Sequence, residues 1–334
     1  MSLKYLSHVG DWQNYVIVDL RNPSSFAQGN IPTSLNYAFE SYVIGKKKGG
    51  SSVEKTELVE TLLKMMNQND PKKLVLVCKD GGYVSKWVWD KLHLRTDTYI
   101  YKGGYRAYRK FVKRKLKEPA NFVVLHGKTG SGKTELLHAF TKMGEQALSL
   151  ADLAKHKGSV FGNLSTLDQP TQEQFENNIF KKLLTMDFSL NILTEYEPNN
   201  LGSVHLPDSV YQNIQRGIPI YIYVSKQKRA ERLVKEYAAI DDSKLQQGID
   251  LLKHKLGLEM HRELTQQLEV KNYIFVASQL LDYFDQTPGY NKSLNQESIS
   301  ITTDSIDEAL KQIAEIMRQK KTSPEEDATV KPDI

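Results

Sequence analysis

Apolar residues in this chain fall into two kinds of run. The short continuous ones are Val16-Ile17-Val18, Leu74-Val75-Leu76-Val77, Phe122-Val123-Val124-Leu125, Ile218-Pro219-Ile220-Tyr221-Ile222-Tyr223-Val224 and Tyr273-Ile274-Phe275-Val276. Their length and β-branched or aromatic content predict buried strands. Ser189 to Glu195 is strand-like, and Ile299-Ser300-Ile301 is a last short strand. The other runs repeat at helical spacing: Glu54 to Met66, with Leu58, Leu62 and Met65 on one face, then Lys86 to Leu92, Phe111 to Lys117 and Glu135 to Phe140. Lys244 to Leu256, Glu259 to Gln267, the amphipathic Leu280 to Asp285 and Ile306 to Arg318 continue the series. Strands alternating with helices predict an α/β fold with parallel sheets.

Turn clusters at Arg21-Asn22-Pro23 and Gly29-Asn30-Ile31-Pro32 break the first segment, and Lys46-Lys47-Lys48-Gly49-Gly50-Ser51-Ser52 reads as a surface loop. Asp168 to Glu176 reads as a turn followed by a capped helix start. Glu118-Pro119-Ala120 marks a boundary. The expected organisation is one domain over 1–117, a second over 118–320, and a charged, Pro-containing disordered tail over 321–334.

Composition narrows the class. A chain of 334 residues, 40% hydrophobic and 25% charged, has room for two ordinary soluble domains. No apolar run reaches the roughly 20 residues of a membrane span. Met1-Ser2-Leu3-Lys4-Tyr5 lacks the apolar core of a secretion signal, so a cytoplasmic protein is expected. One cysteine excludes an internal disulfide. A net charge of +5 permits a nucleic-acid partner without requiring one.

The clearest chemical signal is Gly127-Lys128-Thr129-Gly130-Ser131-Gly132-Lys133-Thr134, between a predicted strand and a predicted helix. It fits the phosphate-binding loop pattern. There the backbone of Gly127, Thr129, Gly130, Ser131 and Gly132 curls around phosphate oxygens at the positive end of the next helix. Lys133 would reach the terminal phosphates, and Thr134 would offer its hydroxyl to Mg²⁺. Glu195, followed by Glu197, stands where such a fold sets an acid beside the cation, so Thr134 and Glu195 are the candidate Mg²⁺ ligands. The strand, loop and helix in order argue against a chance Gly-rich turn.

Cys78-Lys79-Asp80-Gly81-Gly82-Tyr83-Val84-Ser85 also joins a strand to a helix. Backbone N–H groups of such a loop, with the helix dipole, can stabilise a thiolate. A free cysteine is equally at home as an inert core residue, and both readings stay open. The segment from Lys102 through Tyr105, Arg106, Tyr108, Arg109 and Lys110 interleaves cations with tyrosines. It suits RNA phosphates and splayed bases, or else a bridging helix with its tyrosines turned inward and its charges solvated; the pattern by itself favours the second. His156 and Lys157 could meet an anion. Lys226, Lys228, Arg229 and Arg232 read as a solvated helix face.

The first segment resembles a rhodanese domain in Asp19-Leu20-Arg21, Gly29-Asn30-Ile31-Pro32 and Asn36, with Asn30 where histidine is usual. The resemblance implies that Cys78 is a nucleophile that accepts sulfur or selenium. Nearly the whole chain resembles the tRNA 2-selenouridine synthases, a rhodanese domain fused to a P-loop NTPase-like α/β domain. The motifs are the Cys78 loop, Gly103 to Arg109, the phosphate loop, Leu153 to Ser159, Gln169-Pro170, Glu195 to Glu197, Leu201-Gly202, Leu206-Pro207 and Leu281 to Asp285, in that order. The resemblance implies S-geranylation of wobble 2-thiouridine from geranyl diphosphate, then displacement of the geranylthio group by selenium from selenophosphate. It implies no tightly bound cofactor. Its implied partners are the tRNA anticodon loop and selenophosphate synthetase, and it makes Lys102, Tyr105, Arg106, Tyr108, Arg109, Lys110, His156 and Lys157 candidates for tRNA contact.

The chain also departs from the family pattern. Arginines usual in the cysteine loop are Asp80 and Val84, so selenation is the step the sequence supports least. Further departures are Ser149-Leu150-Ala151, Lys157 and Pro198. Two other classes remain: a P-loop ATPase or kinase with an inactive rhodanese module, and a non-catalytic tRNA-binding protein.

Overall fold

The structure is a computed structural model that describes residues 3–7, 14–39, 58–65, 73–156, 169–237, 241–286, 299–303 and 305–319. The loop at 46–52, Lys157 and the residues to 168, and the tail from 321 lie outside the described residues. The chain divides into two compact units, one built from 1–118 with 170–185, the other from 119–169 with 186–334. The division falls at Glu118, and segment 170–185, placed in the second domain from sequence, belongs to the first unit.

The first unit is a five-stranded parallel sheet in the order β1-β5-β4-β2-β3. Its strands are β1 (Tyr5–Leu6), β2 (Tyr15–Asp19), β3 (Leu35–Asn36), β4 (Lys73–Val77) and β5 (Thr98–Tyr101). Central β4 is buried from Leu74 to Val77, which explains its unbroken apolar run. Helix α1 (Pro23–Gln28) starts with Asn22 accepting the Ser25 N–H and proline in the first turn. Helix α2, described over 58–65, and α3 (Tyr83–Leu92) supply Leu58, Leu62, Val88 and Leu92 to the core around β4. Helix α4 (Gly104–Lys115) follows β5, and α7 (Gln172–Leu183), capped by the Thr171 hydroxyl, packs along α4 through Phe180 against Tyr108 and Phe111.

The second unit is also a five-stranded parallel sheet, in the order β12-β11-β6-β8-β7. It comprises β6 (Phe122–Gly127), β7 (Ala147–Leu148), β8 (Ile192–Glu195), β11 (Ile218–Tyr223) and β12 (Ile299–Thr302). Helices α5 (Lys133–Lys142) and α13 (Ile306–Gln319) cover one core face. The short α6 (Leu150–Leu153), the hairpin β9 (Asn200–Leu201) and β10 (Val204–His205), and α8 (Asp208–Gln215) complete the sheet layer. Helices α9 (Lys226–Tyr237), α10 (Asp242–Leu256), α11 (Leu258–Glu269) and α12 (Tyr273–Gln286) form a separate apolar cluster.

The strand expected at Tyr273 to Val276 is instead the first turn of α12. Its residues suit a strand locally, but Val276, Ala277, Leu280, Leu281 and Phe284 recur at helical spacing and are buried together. Packing in the four-helix cluster overrides local preference. Among the described residues, no helix is long and apolar enough to cross a membrane.

Candidate functional site

In the second unit the phosphate loop runs from the end of β6 into α5, as the strand-loop-helix reading expected. Gly132 sits at φ +90, and a Cβ there would meet the Arg232 guanidinium at 3.2 Å. Only glycine takes that conformation without strain. The loop's carbonyls are held from outside: Thr129 by Arg229 at 3.2 Å, Gly130 by Arg232 at 3.4 Å and Ser131 by the Thr303 hydroxyl at 2.8 Å. Because each peptide is planar, fixing those carbonyls turns the N–H groups of Gly130 and Gly132 the opposite way. The Ser131 N–H closes the turn on the Lys128 carbonyl at 3.1 Å. Lys133 rests its Nζ on the Gly127 carbonyl at 2.7 Å. The loop thus has the backbone form that suits an anion at a helix N-terminus, with its lysine alongside.

Arg229 and Arg232 are not a solvated face. Arg229 is 4% exposed, and it pairs with Asp285, which also takes Lys128 at 3.1 Å. The readable signal was their three-residue spacing, interleaved with the buried Ala230 and Leu233.

Glu195 ends β8 and is fully buried. Its Oε1 accepts the Ala151 N–H at 2.9 Å and the Ser149 hydroxyl at 3.4 Å, while Oε2 has no hydrogen-bond partner. Burial, with Glu197 beside it, pushes its carboxyl up to about 8, against the opposing pull of the Ala151 N–H and Lys133. Burial likewise raises Glu197, with Lys133 opposing. The orphaned buried oxygen of Glu195, beside the lysine of the loop, is a hard-oxygen donor of the kind that suits Mg²⁺, and Thr134 lies in the first turn of α5. Among the described residues, no group of three or more His, Cys, Asp or Glu is disposed to hold a metal by itself.

In the first unit, Cys78 follows β4 directly and is 5% exposed. Its Sγ lies 3.9 Å from Asp80 Oδ1 in a thiol-to-carboxylate contact. The same oxygen accepts the Gly82 N–H at 2.9 Å. An N–H expected to serve the sulfur is therefore taken by a neighbouring anion. The first N–H groups of α4 also go elsewhere, Tyr105 to the Cys78 carbonyl at 2.8 Å and Arg106 to the Lys79 carbonyl at 3.0 Å. Gly104 makes this approach possible: its φ is +59, and a Cβ would lie 2.3 Å from the Cys78 oxygen.

Three of the residues proposed for RNA contact are internal. Tyr105 is 6% exposed, Tyr108 is fully buried and Arg109 is 8% exposed. The Tyr105 hydroxyl donates to Glu173 at 2.8 Å and accepts from Asn177 at 2.9 Å, while the Arg21 guanidinium lies 3.5 Å from its ring centre. Arg109 pairs with Glu173 at 3.4 Å and with Glu176. The reading of Tyr105, Tyr108 and Arg109 as base-stacking or phosphate contacts is corrected: α7 supplies the acids and the aromatic surface that draw them inward. Lys102, Arg106 and Lys110 are exposed. His156, in the second unit, is partly buried, and burial lowers its pKa; Lys157 is outside the described residues.

Residues 120–322 match the family described as the tRNA 2-selenouridine synthase AAA domain, and residues 2–111 match the rhodanese-like domain. The tRNA 2-selenouridine synthase of Nitrosomonas europaea is 28% identical over 247 residues, which cover 66% of this chain and 63% of that protein, slightly under two thirds of its length. The protein of the same name from Shewanella denitrificans is 30% identical over 267 residues, covering 73% of this chain and 70% of that one. That from Bordetella bronchiseptica is 25% identical over 344 residues, covering 86% and 91%. With a glycine-rich loop and a cysteine loop each borne on its own parallel sheet, and with these matches along its length, the chain belongs to the tRNA 2-selenouridine synthase family.

Proposed function

We propose that this chain modifies the wobble uridine of tRNA, and that its phosphate loop holds the diphosphate of geranyl diphosphate. The sulfur of 2-thiouridine attacks the allylic carbon, the carbon–oxygen bond to diphosphate breaks, and the base releases its N3 proton. The observation that carries this reading is the loop itself, with the N–H groups of Gly130 and Gly132 turned inward by the clamped carbonyls and Lys133 alongside. Such donors stabilise the charge that develops on a departing diphosphate. Thr134 and Glu195 would hold Mg²⁺, which supplies further neutralisation of that leaving group.

The second step, displacement of the S-geranyl group by selenium from selenophosphate made by selenophosphate synthetase, has weaker support. Asp80 places a carboxylate against the Cys78 thiol and occupies the Gly82 N–H. A second anion meets repulsion there. This favours a member of the family limited to geranyl transfer.

The test is incubation with 2-thiouridine tRNA, geranyl diphosphate and selenophosphate, with nucleosides analysed by mass spectrometry. S-geranyl-2-thiouridine should accumulate with little 2-selenouridine, and Lys133→Ala should abolish it. Absence of any modified wobble uridine would reject the proposal.

A further inference from the structure

Between Lys102 and Lys117 the sequence holds eight basic and no acidic residues, more than the whole of the chain's net +5. The fold sorts them. Arg109 turns inward to Glu173 and Glu176, and Lys115 pairs with Glu118 at 2.8 Å. Arg106, Lys110, Lys113, Arg114 and Lys117 are all exposed. Their spacings of four, three, one and three residues place them along one side of α4 and its last turn. Among the described residues, no carboxylate pairs with any of these five. Arg114 is held in place by its guanidinium 5.1 Å from the Phe111 ring centre.

An exposed lysine or arginine is ordinarily unremarkable on a helix, because a nearby acid or solvent balances it. Here, among the described residues, the acids that pair with α4 answer Arg109 and Lys115 and none of these five. The five-cation row extends over about 16 Å at the usual helical rise, with like charges at neighbouring positions that repel and cost stability unless an external anion answers them. We infer that this outer face of α4 is a docking surface for the sugar–phosphate backbone of RNA. The inference rests on the tRNA reading above and names the surface through which the first unit would meet that RNA. A linear row of cations matches a linear row of phosphates, and it needs no bases, which fits the burial of Tyr105 and Tyr108. An anionic membrane is the less suitable occupant: the apolar side of α4, with Tyr105, Tyr108 and Val112, is already buried, so nothing remains to insert among lipids.

The experiment measures binding of bulk tRNA to the full chain by fluorescence anisotropy over a range of NaCl, for wild type and for Arg106→Glu/Lys110→Glu/Lys113→Glu. Pyrophosphate binding by calorimetry and thermal melting serve as controls. The variant should bind tRNA at least tenfold more weakly. Its slope of log affinity against log salt should be shallower by roughly 2, since each phosphate contact contributes about 0.7–0.9. Pyrophosphate affinity should be unchanged. If charge reversal impairs folding, the triple glutamine variant should show the same shallower slope to a lesser degree. Unchanged tRNA affinity and slope would overturn the surface and leave the functional reading standing. Wild-type protein that binds no tRNA would overturn both, and preferential loss of binding to phosphatidylserine vesicles would replace RNA with a membrane.

Discussion

Asp285 grips Arg229 with both carboxylate oxygens, at 2.9 and 2.6 Å, while the same guanidinium reaches the Thr129 carbonyl of the phosphate loop. A residue near the end of α12 thereby sets the position of an arginine on α9, and that arginine holds the loop's backbone. The shape of the glycine-rich loop depends on a pair about which the loop's own sequence says nothing.

Removing Arg229 takes the bidentate guanidinium from Asp285 and its donor from the Thr129 carbonyl. Arg229→Ala should cost roughly 2–4 kcal/mol of stability, as breaking a largely buried pair does, and weaken pyrophosphate binding. Burial raises the Asp285 carboxyl, but its hydrogen bonds from Arg229 and Lys128 outweigh that and hold it below the usual value. A lowered carboxylate stabilises the fold above the unfolded value of 3.8 and loses that contribution as pH falls through its folded value. Urea melts of wild type and Asp285→Asn should therefore differ at pH 7 and converge in the acid range. Equal midpoints at pH 7 would discount the clamp.

Glu195 has the opposite sign. Folded, it keeps its proton to about pH 8, whereas the unfolded carboxyl releases it near 4.5. Between these values folding takes up a proton, so rising pH lowers stability, by up to roughly 1.4 kcal/mol for each pH unit. In Mg²⁺-free buffer, Glu195→Gln should show a shallower fall in unfolding free energy from pH 5 to 8 than wild type. Identical slopes would show that Glu195 does not titrate there.

The single cysteine gives a clean chemical readout. Asp80→Asn removes a negative charge 3.9 Å from the sulfur. At that separation, repulsion of a thiolate is about 1 kcal/mol in a water-like medium, so alkylation of Cys78 by iodoacetamide should speed up about fivefold. A rate that does not change would mean the carboxylate leaves the thiol's reactivity alone.

Gly104 carries the close approach of α4 to the cysteine loop. In Gly104→Ala the new methyl would sit 2.3 Å from the Cys78 carbonyl oxygen and 2.5 Å from the Gly81 nitrogen, at a φ of +59. Left-handed strain and overpacking together should cost about 3 kcal/mol. Thermal melting measures it, and a melting temperature within a degree or two of wild type would refute the tight packing.

Several features were legible from local pattern. Both parallel sheets were foreshadowed by unbroken apolar runs such as Leu74 to Val77 and Phe122 to Leu125, because a strand covered on both faces needs apolar side chains on both. The phosphate loop was legible because its chemistry is local: glycines, a lysine and a threonine at fixed spacing between a strand and a helix. Other features had no local signature. The run Tyr273 to Val276 could have served either kind of element, and only burial beside Leu280 and Phe284 chose a helix.

The sequence by itself determined the two α/β halves, the glycine-rich turn between β6 and α5 and a cysteine at a strand's end, since each follows from neighbours in the chain. Tertiary structure alone decided the fate of the charges. It sent α7 into the first unit, where Glu173 and Glu176 draw Arg109 inward, and it set Asp285 against Arg229 behind the phosphate loop. A long basic side chain is indifferent to burial until a carboxylate, often far off in sequence, meets it, so which cations are structural and which face outward is settled only when distant segments pack together.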